Sequence, residues 1–216
     1  MRITLSKFVT ACTILACSLA SSLTFAHNDH TYGGWSIATN VDHINIDPKA
    51  ANRFDVMVDE SATAIGVAGE YLFYDSDMTF AVGLNYVIYN DNNEFSQYVE
   101  DNWDDDWYDD WDNGSYEESD ADAFMLFAEV GPKIYFGPDA LSFFSVRGGV
   151  SGIFDSTRSI SFCDDCYSED INLDGGLYGA LGVGHSFSRF DLSLQFQQYF
   201  TGDLDNSLRL KAAFNF

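Results

Sequence analysis

The feature that most constrains the fold of this chain is a two-residue alternation of apolar and polar side chains that recurs in segment after segment. It is clearest over the last ten residues. One face there carries Leu208, Leu210, Ala212, Phe214 and Phe216, and the other carries Arg209, Lys211 and Asn215. Such alternation is typical of β-strands, because successive side chains of a strand point to opposite sides.

Eight segments show this pattern, and most of them are about ten residues long, the length that a tilted strand needs to cross the hydrocarbon core of a membrane. The predicted strands cover residues 34–42, 63–74, 79–90, 123–136, 141–154, 173–187, 190–197 and 207–216. No stretch after residue 26 holds about twenty consecutive apolar residues, so no transmembrane helix is predicted. A chain of this kind can span a membrane only as a closed barrel, because lipid offers no partners for unpaired backbone groups.

The connections between the predicted strands alternate strictly between short and long. Tight turns are predicted at residues 75–78, 137–140 and 188–189, and longer segments at residues 43–62, 91–122, 155–172 and 201–206. Barrels of the outer membrane have short periplasmic turns, longer outside loops and both termini in the periplasm. A soluble β-sandwich would explain the alternation of side chains, but it has no reason to place every long loop at one end.

The amino terminus reads as a secretory signal peptide over residues 1–26. Arg2 and Lys7 begin it, an apolar stretch follows, and Thr24-Phe25-Ala26 supplies the small residues of a cleavage site. Cleavage after Ala26 leaves residues 27–216 as one domain. Lipidation is an alternative: Cys17 follows a poor lipobox, and Cys12 follows a better one that leaves almost no apolar run after Lys7.

The carboxy-terminal Phe216, following alternating apolar residues, resembles the signature by which the barrel assembly machinery recognises outer-membrane proteins. Strand count and loop layout are similar to those of the eight-stranded OmpA/OmpX/opacity-type barrels. The resemblance implies an all-β fold, namely an eight-stranded antiparallel up-and-down transmembrane β-barrel. It also implies a location in a Gram-negative outer membrane, with lipid, lipopolysaccharide and the assembly machinery as partners.

Seven charged residues lie on the polar faces of the predicted strands and are expected to point into the barrel lumen. They are Glu70, Glu129, Lys133, Arg147, Asp191, Arg209 and Lys211. Eight strands enclose little more than side chains, and an isolated buried ion is costly, so these charges should pair. An ion-pair network that fills the barrel is the prediction, and a narrow gated pore is the alternative.

The predicted loop 91–122 holds 14 of the 34 acidic residues and no Lys or Arg. Trp103, Trp107 and Trp111 recur in it every four residues, and exposed indoles suggest contact with a glycan, a lipid headgroup or a protein. The default interpretation is a disordered acidic loop whose indoles lie against the barrel rim or the lipid boundary, and calcium binding by the carboxylates is a further alternative. Because no complete metal motif is present, no metal or cofactor is predicted.

Two further pairs of residues have chemical potential. Cys163 and Cys166 are the only cysteines after residue 26, and export would place them in an oxidising compartment, which favours a disulfide. His185 and Ser186 are adjacent, so on a strand they point to opposite faces. A lipid hydrolase would therefore need Ser188, or a residue on a neighbouring strand, beside His185.

The formal net charge of −24 excludes nucleic acid as a partner, because phosphate would be repelled. The sequence thus predicts a non-enzymatic outer-membrane barrel that displays acidic extracellular loops, with a structural or surface-interaction role and an unidentified extracellular ligand. A narrow gated pore and a lipid-modifying hydrolase are the alternative functions.

Overall fold

The computed structural model describes residues 34–73, 76–100, 114–137, 141–160 and 166–216. The predicted signal peptide lies outside these ranges. The strands are β1 (Gly34–Ile46), β2 (Val58–Leu72), β3 (Met78–Asp91), β4 (Ser96–Glu100), β5 (Gly114–Glu118), β6 (Asp120–Phe136), β7 (Ser142–Ser159), β8 (Ser168–Asp170), β9 (Leu177–Phe187), β10 (Phe190–Tyr199) and β11 (Leu204–Asn215). A single helical turn, α1 (Pro48–Ala51), follows β1.

Eight of these strands form one closed antiparallel ring. Their order around the ring is β1, β2, β3, β6, β7, β9, β10 and β11, and β11 pairs with β1 to close it. Each barrel strand therefore lies beside the barrel strands that precede and follow it in the chain, which is up-and-down topology. The predicted eight-stranded antiparallel barrel is confirmed.

The connections lie at two distinct ends of the ring. We call the turn end the one with the connections 73–77, 137–141 and 188–189, where β1 begins and β11 ends. We call the loop end the one with the connections 47–57, 92–119, 160–176 and 200–203. Strands β4 and β5 pair as a separate ribbon within 92–119, and β8 pairs with the last residues of β7.

Side chains alternate between the two surfaces of the ring. Buried positions recur at every second residue along β3 and β10, and the positions between them are exposed and largely apolar. The exposed apolar residues occur on all eight barrel strands and include Ile37, Val67, Val82, Leu84, Leu126, Val146, Leu181, Leu194, Phe196 and Leu210. The outer surface is thus apolar and the charged residues are inside, which is the reverse of a water-soluble barrel.

Seven of the eight barrel strands extend further at the loop end than predicted, and β1, β2 and β7 extend furthest. β1 continues to Ile46, β2 begins at Val58, and β7 continues to Ser159. Ile44, Ile46 and Val58 point inward and are buried. On β1 the outward residues beside them, His43 and Asn45, are polar, so the polarity of the two faces is reversed there relative to the rest of the strand.

Strand β9 starts four residues later than predicted, at Leu177 rather than at Leu173. The chain at Gly176 approaches the backbone of Thr201 so closely that an added Cβ would lie 1.8 Å from the Thr201 carbonyl oxygen. Leu173 is buried in the apolar part of the interior instead of pairing in the sheet.

Replacing Gly66 by valine should destabilise the barrel by about 1–3 kcal/mol, the usual cost of overpacking a filled interior. Gly66 faces inward, where a Cβ would lie 1.8 Å from the Asn85 Oδ1 atom and 2.6 Å from the Leu84 carbonyl oxygen. Gly148→Val is the matched control, because a Cβ at Gly148 would meet nothing within 4 Å. Urea unfolding in detergent micelles measures both variants, and equal midpoints would contradict the packing described here.

Candidate functional site

The described interior of the barrel divides into an apolar half at the loop end and a charged half toward the turn end. The apolar half is one cluster of buried residues contributed by barrel strands and by the loop-end connections. Its larger members are Ile44, Ile46, Val56, Val58, Val87, Tyr89, Met125, Ile171, Leu173, Tyr178, Tyr199 and Leu204. This apolar cluster fills the lumen beneath the loops.

The centre of the charged half is a buried arginine between two carboxylates. Arg147 donates to both carboxylate oxygens of Glu70, at 2.9 and 3.0 Å, and to Glu129 at 2.6 Å. Lys211 donates to the same Glu70 carboxylate. The Tyr178 hydroxyl donates to Glu129 at 3.1 Å. These hydrogen bonds join charged groups, and one of the pairs is bidentate. They therefore offset the free-energy cost of removing each ion from water.

A second buried pair lies on neighbouring strands. Arg209 on β11 donates to Asp42 on β1 through Nε at 2.9 Å and Nη2 at 2.8 Å. Asn40 and Asn85 also donate to the Asp42 carboxylate, at 3.0 and 3.1 Å. The guanidinium of Arg209 stands 4.4 Å from the Phe127 ring centroid, in cation–π range.

The third pair lies nearest the turn end. Lys133 donates to Asp191 at 2.6 Å, and its ammonium lies 4.4 Å from the ring centroid of Phe143. All seven charged residues placed in the lumen by sequence are buried, and each has an oppositely charged partner. Asp42, which sequence analysis did not include, makes the set equal, with four acids and four bases.

Above the apolar cluster, the loop-end connections are held together by Arg53. Its guanidinium bonds both carboxylate oxygens of Asp203 at 3.1 Å and also the backbone carbonyl of Asn172. The backbone N–H of Asp47 donates to the carbonyl of Asp203 at 2.8 Å. Three connections that are distant in sequence therefore form one cover over the lumen.

A second arginine supports this cover from below. Arg158 is buried and donates to Asp91 at 2.6 Å, to Glu169, and to the backbone carbonyls of Val56 and Met57 at 3.1 and 2.9 Å. Sequence analysis missed Arg158 because it falls in the predicted loop 155–172. The signal that was present is its isolation, since few bases occur at the loop end of so acidic a chain.

Within the acidic loop, the structure describes the β4–β5 ribbon. Tyr98 and Tyr116 face each other across it, both exposed, with ring centroids 5.4 Å apart. The ribbon also reaches the connection before β9, where the Tyr167 N–H donates to the Gln97 side chain and the rings of Phe95 and Tyr167 are 5.1 Å apart.

Two predicted site features depend on residues outside the described ranges, and a third does not. Trp103, Trp107 and Trp111 all lie in the undescribed part of the acidic loop. Cys166 is disulfide-bonded, but Cys163 is not described, so their pairing stays a prediction. Phe216 is described: its side chain is exposed and its N–H donates to the carbonyl of Trp35 at 3.1 Å.

No group of three or more His, Cys, Asp or Glu side chains in the described ranges is arranged to hold a metal ion. None of the helical residues there forms a span long and apolar enough to cross a membrane.

His185 has a hydroxyl neighbour on the adjacent strand. The Ser142 Oγ atom lies 3.2 Å from the His185 Nδ1 atom, and the two residues are directly paired between β7 and β9. Within the part of the chain that the structure describes, the hydrogen bonds give His185 no carboxylate partner. A serine–histidine hydrolase orients its histidine with such a third group, so this pair lacks one element of that arrangement.

Comparison with solved structures finds proteins of the same architecture at very low identity. Ail, the attachment invasion locus protein of Yersinia pestis, solved with the heparin analogue sucrose octasulfate, is 13% identical over 85% of this chain and 97% of its own, with a TM-score of 0.43. Neisserial surface protein A is 9% identical over 86% of this chain and 99% of its own, with a TM-score of 0.44. Both are eight-stranded outer-membrane barrels, the class that the sequence resembles.

These similarities, with such low identities and TM-scores, carry no argument about what this chain binds or does. No protein-family model matches the chain, and no curated protein matches it. The fold is established by the strand pairing of the chain itself.

Substitution of Lys133 by methionine should cost about 3–5 kcal/mol of stability, because it leaves the Asp191 carboxylate buried without its partner. Combining Lys133→Met with Asp191→Leu should restore most of the loss, since no uncompensated charge remains. Urea unfolding of both single variants and the double variant measures the coupling. Simple additivity of the two single effects would show that the pair is not a coupled unit.

Proposed function

We propose that this chain is a non-enzymatic outer-membrane β-barrel that holds acidic loops at the cell surface, with a structural or surface-interaction role. The observation that carries the proposal is the combination of an apolar outer surface on every barrel strand with a lumen closed by paired charges and an apolar cluster.

The outer surface supports insertion in a bilayer. Leu, Val, Ile and Phe side chains on it are 37–56% exposed, for example Leu181 at 52%, Val183 at 55% and Leu210 at 51%. A continuous apolar surface of this extent is not found on soluble monomers. Toward the turn end, the exposed Trp35 ring packs 5.1 Å from the Tyr71 ring, and such amphipathic aromatics are enriched at membrane–water interfaces.

The lumen supports anchoring rather than conduction. Ions passing along the axis would meet the Arg147 network and then the apolar cluster beneath the cover formed by Arg53. Hydrophobic constrictions exclude water and so oppose ion passage. A narrow gated pore, the alternative function, would require the apolar cluster and its cover to move aside.

The loop end supports a role at the cell surface. In the proposed orientation, both termini are periplasmic and the loop end is extracellular. The exposed residues there include acids such as Glu94, Glu117 and Asp120, together with Tyr98 and Tyr116. Phe216 would serve the barrel assembly machinery, and lipid and lipopolysaccharide would surround the barrel. An extracellular partner would meet an acidic and aromatic surface at this end of the barrel.

The protein should fractionate with the outer membrane and migrate faster on a gel when unheated than when boiled. A closed barrel resists unfolding by detergent, and its compact form runs ahead of the unfolded chain. The measurement is a paired gel of outer-membrane and periplasmic fractions, with Gly148→Val as a variant that should behave like the wild type. A soluble periplasmic protein would overturn the proposal and favour an exported β-sandwich.

In planar bilayers the wild-type barrel should give no discrete conductance steps, because the apolar cluster fills the lumen. Discrete channels that disappear on substitution of Arg147 or Glu129 would contradict anchoring as the sole role and establish the pore.

Unchanged lipid A in cells with and without the protein, measured by mass spectrometry, would remove the hydrolase alternative.

A further inference from the structure

The outer surface of the barrel carries a groove across β1, β2, β3 and β6. Its volume is about 400 Å³, and its outward-facing lining residues are Ile37, Val67, Gly69, Val82, Leu84 and Leu126. Ile37 and Val82 are the cross-strand neighbours of Gly69 on either side. The groove therefore exists where the row of outward side chains is interrupted by a residue without one.

The barrel has no steric need for glycine at position 69. A Cβ there would make only an ordinary van der Waals contact, at 3.8 Å, with the Trp35 ring. The inward glycine Gly83 is different, because a Cβ there would lie 2.4 Å from the Phe127 ring. The effect of Gly69 on this structure is thus to leave space on the outer surface.

The lining of the groove specifies the chemistry of its occupant. All of its outward side chains are aliphatic, and no charged or hydroxyl-bearing residue lines it. Water in such a groove would find no hydrogen-bond partners among these side chains, whereas hydrocarbon would gain burial. The groove is continuous with the apolar surface of the neighbouring strands, so it would open directly to membrane hydrocarbon.

The position of the groove along the barrel indicates how a lipid would be oriented. Trp35 and Tyr71 are paired two residues closer to the turn end than Ile37 and Gly69. Their indole N–H and phenol O–H groups favour the headgroup region, where one side of the ring is apolar and the other is wet. A chain lying in the groove would therefore have its headgroup at the turn end.

We infer that the groove at Gly69 binds one acyl chain of a membrane phospholipid whose headgroup lies beside Trp35 and Tyr71. This inference rests on the proposed membrane location. It adds a specific lipid site to a surface that otherwise contacts the bilayer without selection.

The test is native mass spectrometry of the refolded full chain in detergent micelles supplied with palmitoyl-oleoyl-phosphatidylethanolamine. The groove is filled by Gly69→Leu, and Gly148→Leu adds the same side chain at an outward glycine on β7, where the space is open. Gly69→Ala fills the groove only in part and serves as the variant closest to the native structure. Heat-modifiable migration establishes that each variant has folded.

The wild type and Gly148→Leu should retain one phospholipid, and retention by Gly69→Leu should fall by about tenfold or more, because leucine displaces several methylene groups of the chain. Gly69→Ala should lie between them.

Equal retention by all four proteins would overturn the lipid site while leaving the barrel in the membrane. A shift from dimer to monomer in Gly69→Leu, with lipid retention unchanged, would overturn it in favour of a second copy of this chain. Failure of the proposed function would be seen separately, as a wild-type chain that neither folds in micelles nor enters vesicles.

Discussion

The pairing of β1 with β11 is the interaction on which the rest of the structure depends. Their register runs from Ser36 opposite Asn215 to Ile46 opposite Leu204, and it joins the first and last strands of the ring. Without it, the N–H and C=O groups of two edges would be unpaired, which is costly in lipid and promotes aggregation in water. Closure also creates an interior that excludes water, so charged side chains that point inward must have oppositely charged partners.

The interior meets this requirement because the acidic and basic residues described in its charged half are equal in number, although acids far outnumber bases in the whole chain. The chain has a formal charge of −24, yet the charged half of the lumen contains Asp42, Glu70, Glu129 and Asp191 against Lys133, Arg147, Arg209 and Lys211. A buried pair of this kind is weak evidence for stability, because hydrophobic residues of equal volume can be as good. Its stronger effect is on the register of the strands. Each carboxylate meets its basic partner in one register only, so a shift of one strand by one residue would leave several buried ions without partners.

The sequence predicted the fold well where the outward face of a strand is the apolar one, and less well where that polarity is reversed. Along β10 and β11, apolar residues face outward and Asp191, Arg209 and Lys211 face inward, so the period is plain. Toward the loop end of β1, Ile44 and Ile46 point into the apolar cluster while His43 and Asn45 point outward, so the polarity of the two faces is reversed. The prediction therefore ended β1 at Asp42, and Asp42 was not included among the lumen charges although it pairs with Arg209.

The contacts among the loops could not be predicted for a different physical reason. Arg53 meets Asp203 and Asn172, and Arg158 meets Asp91 and Met57. These residues are separated by up to 150 positions and have no shared periodicity. What brings them together is the ring, which places the ends of distant strands side by side. Only the strand order, and not any local pattern, contains that information.

The chain has ten basic residues, and the number used inside the barrel determines how few are left to neutralise the acids at the loop end. Four of them are paired in the lumen, and Arg53 and Arg158 are paired within the cover at the loop end. Of the other bases in the described ranges, Arg189 lies in a connection at the turn end, which leaves Lys49 as an exposed base at the loop end. The acids displayed beyond the cover therefore face solvent with little compensation from the chain itself. Folding of the barrel buries or pairs most of these bases and so leaves the loop end acidic, which repels polyanions and attracts cationic partners.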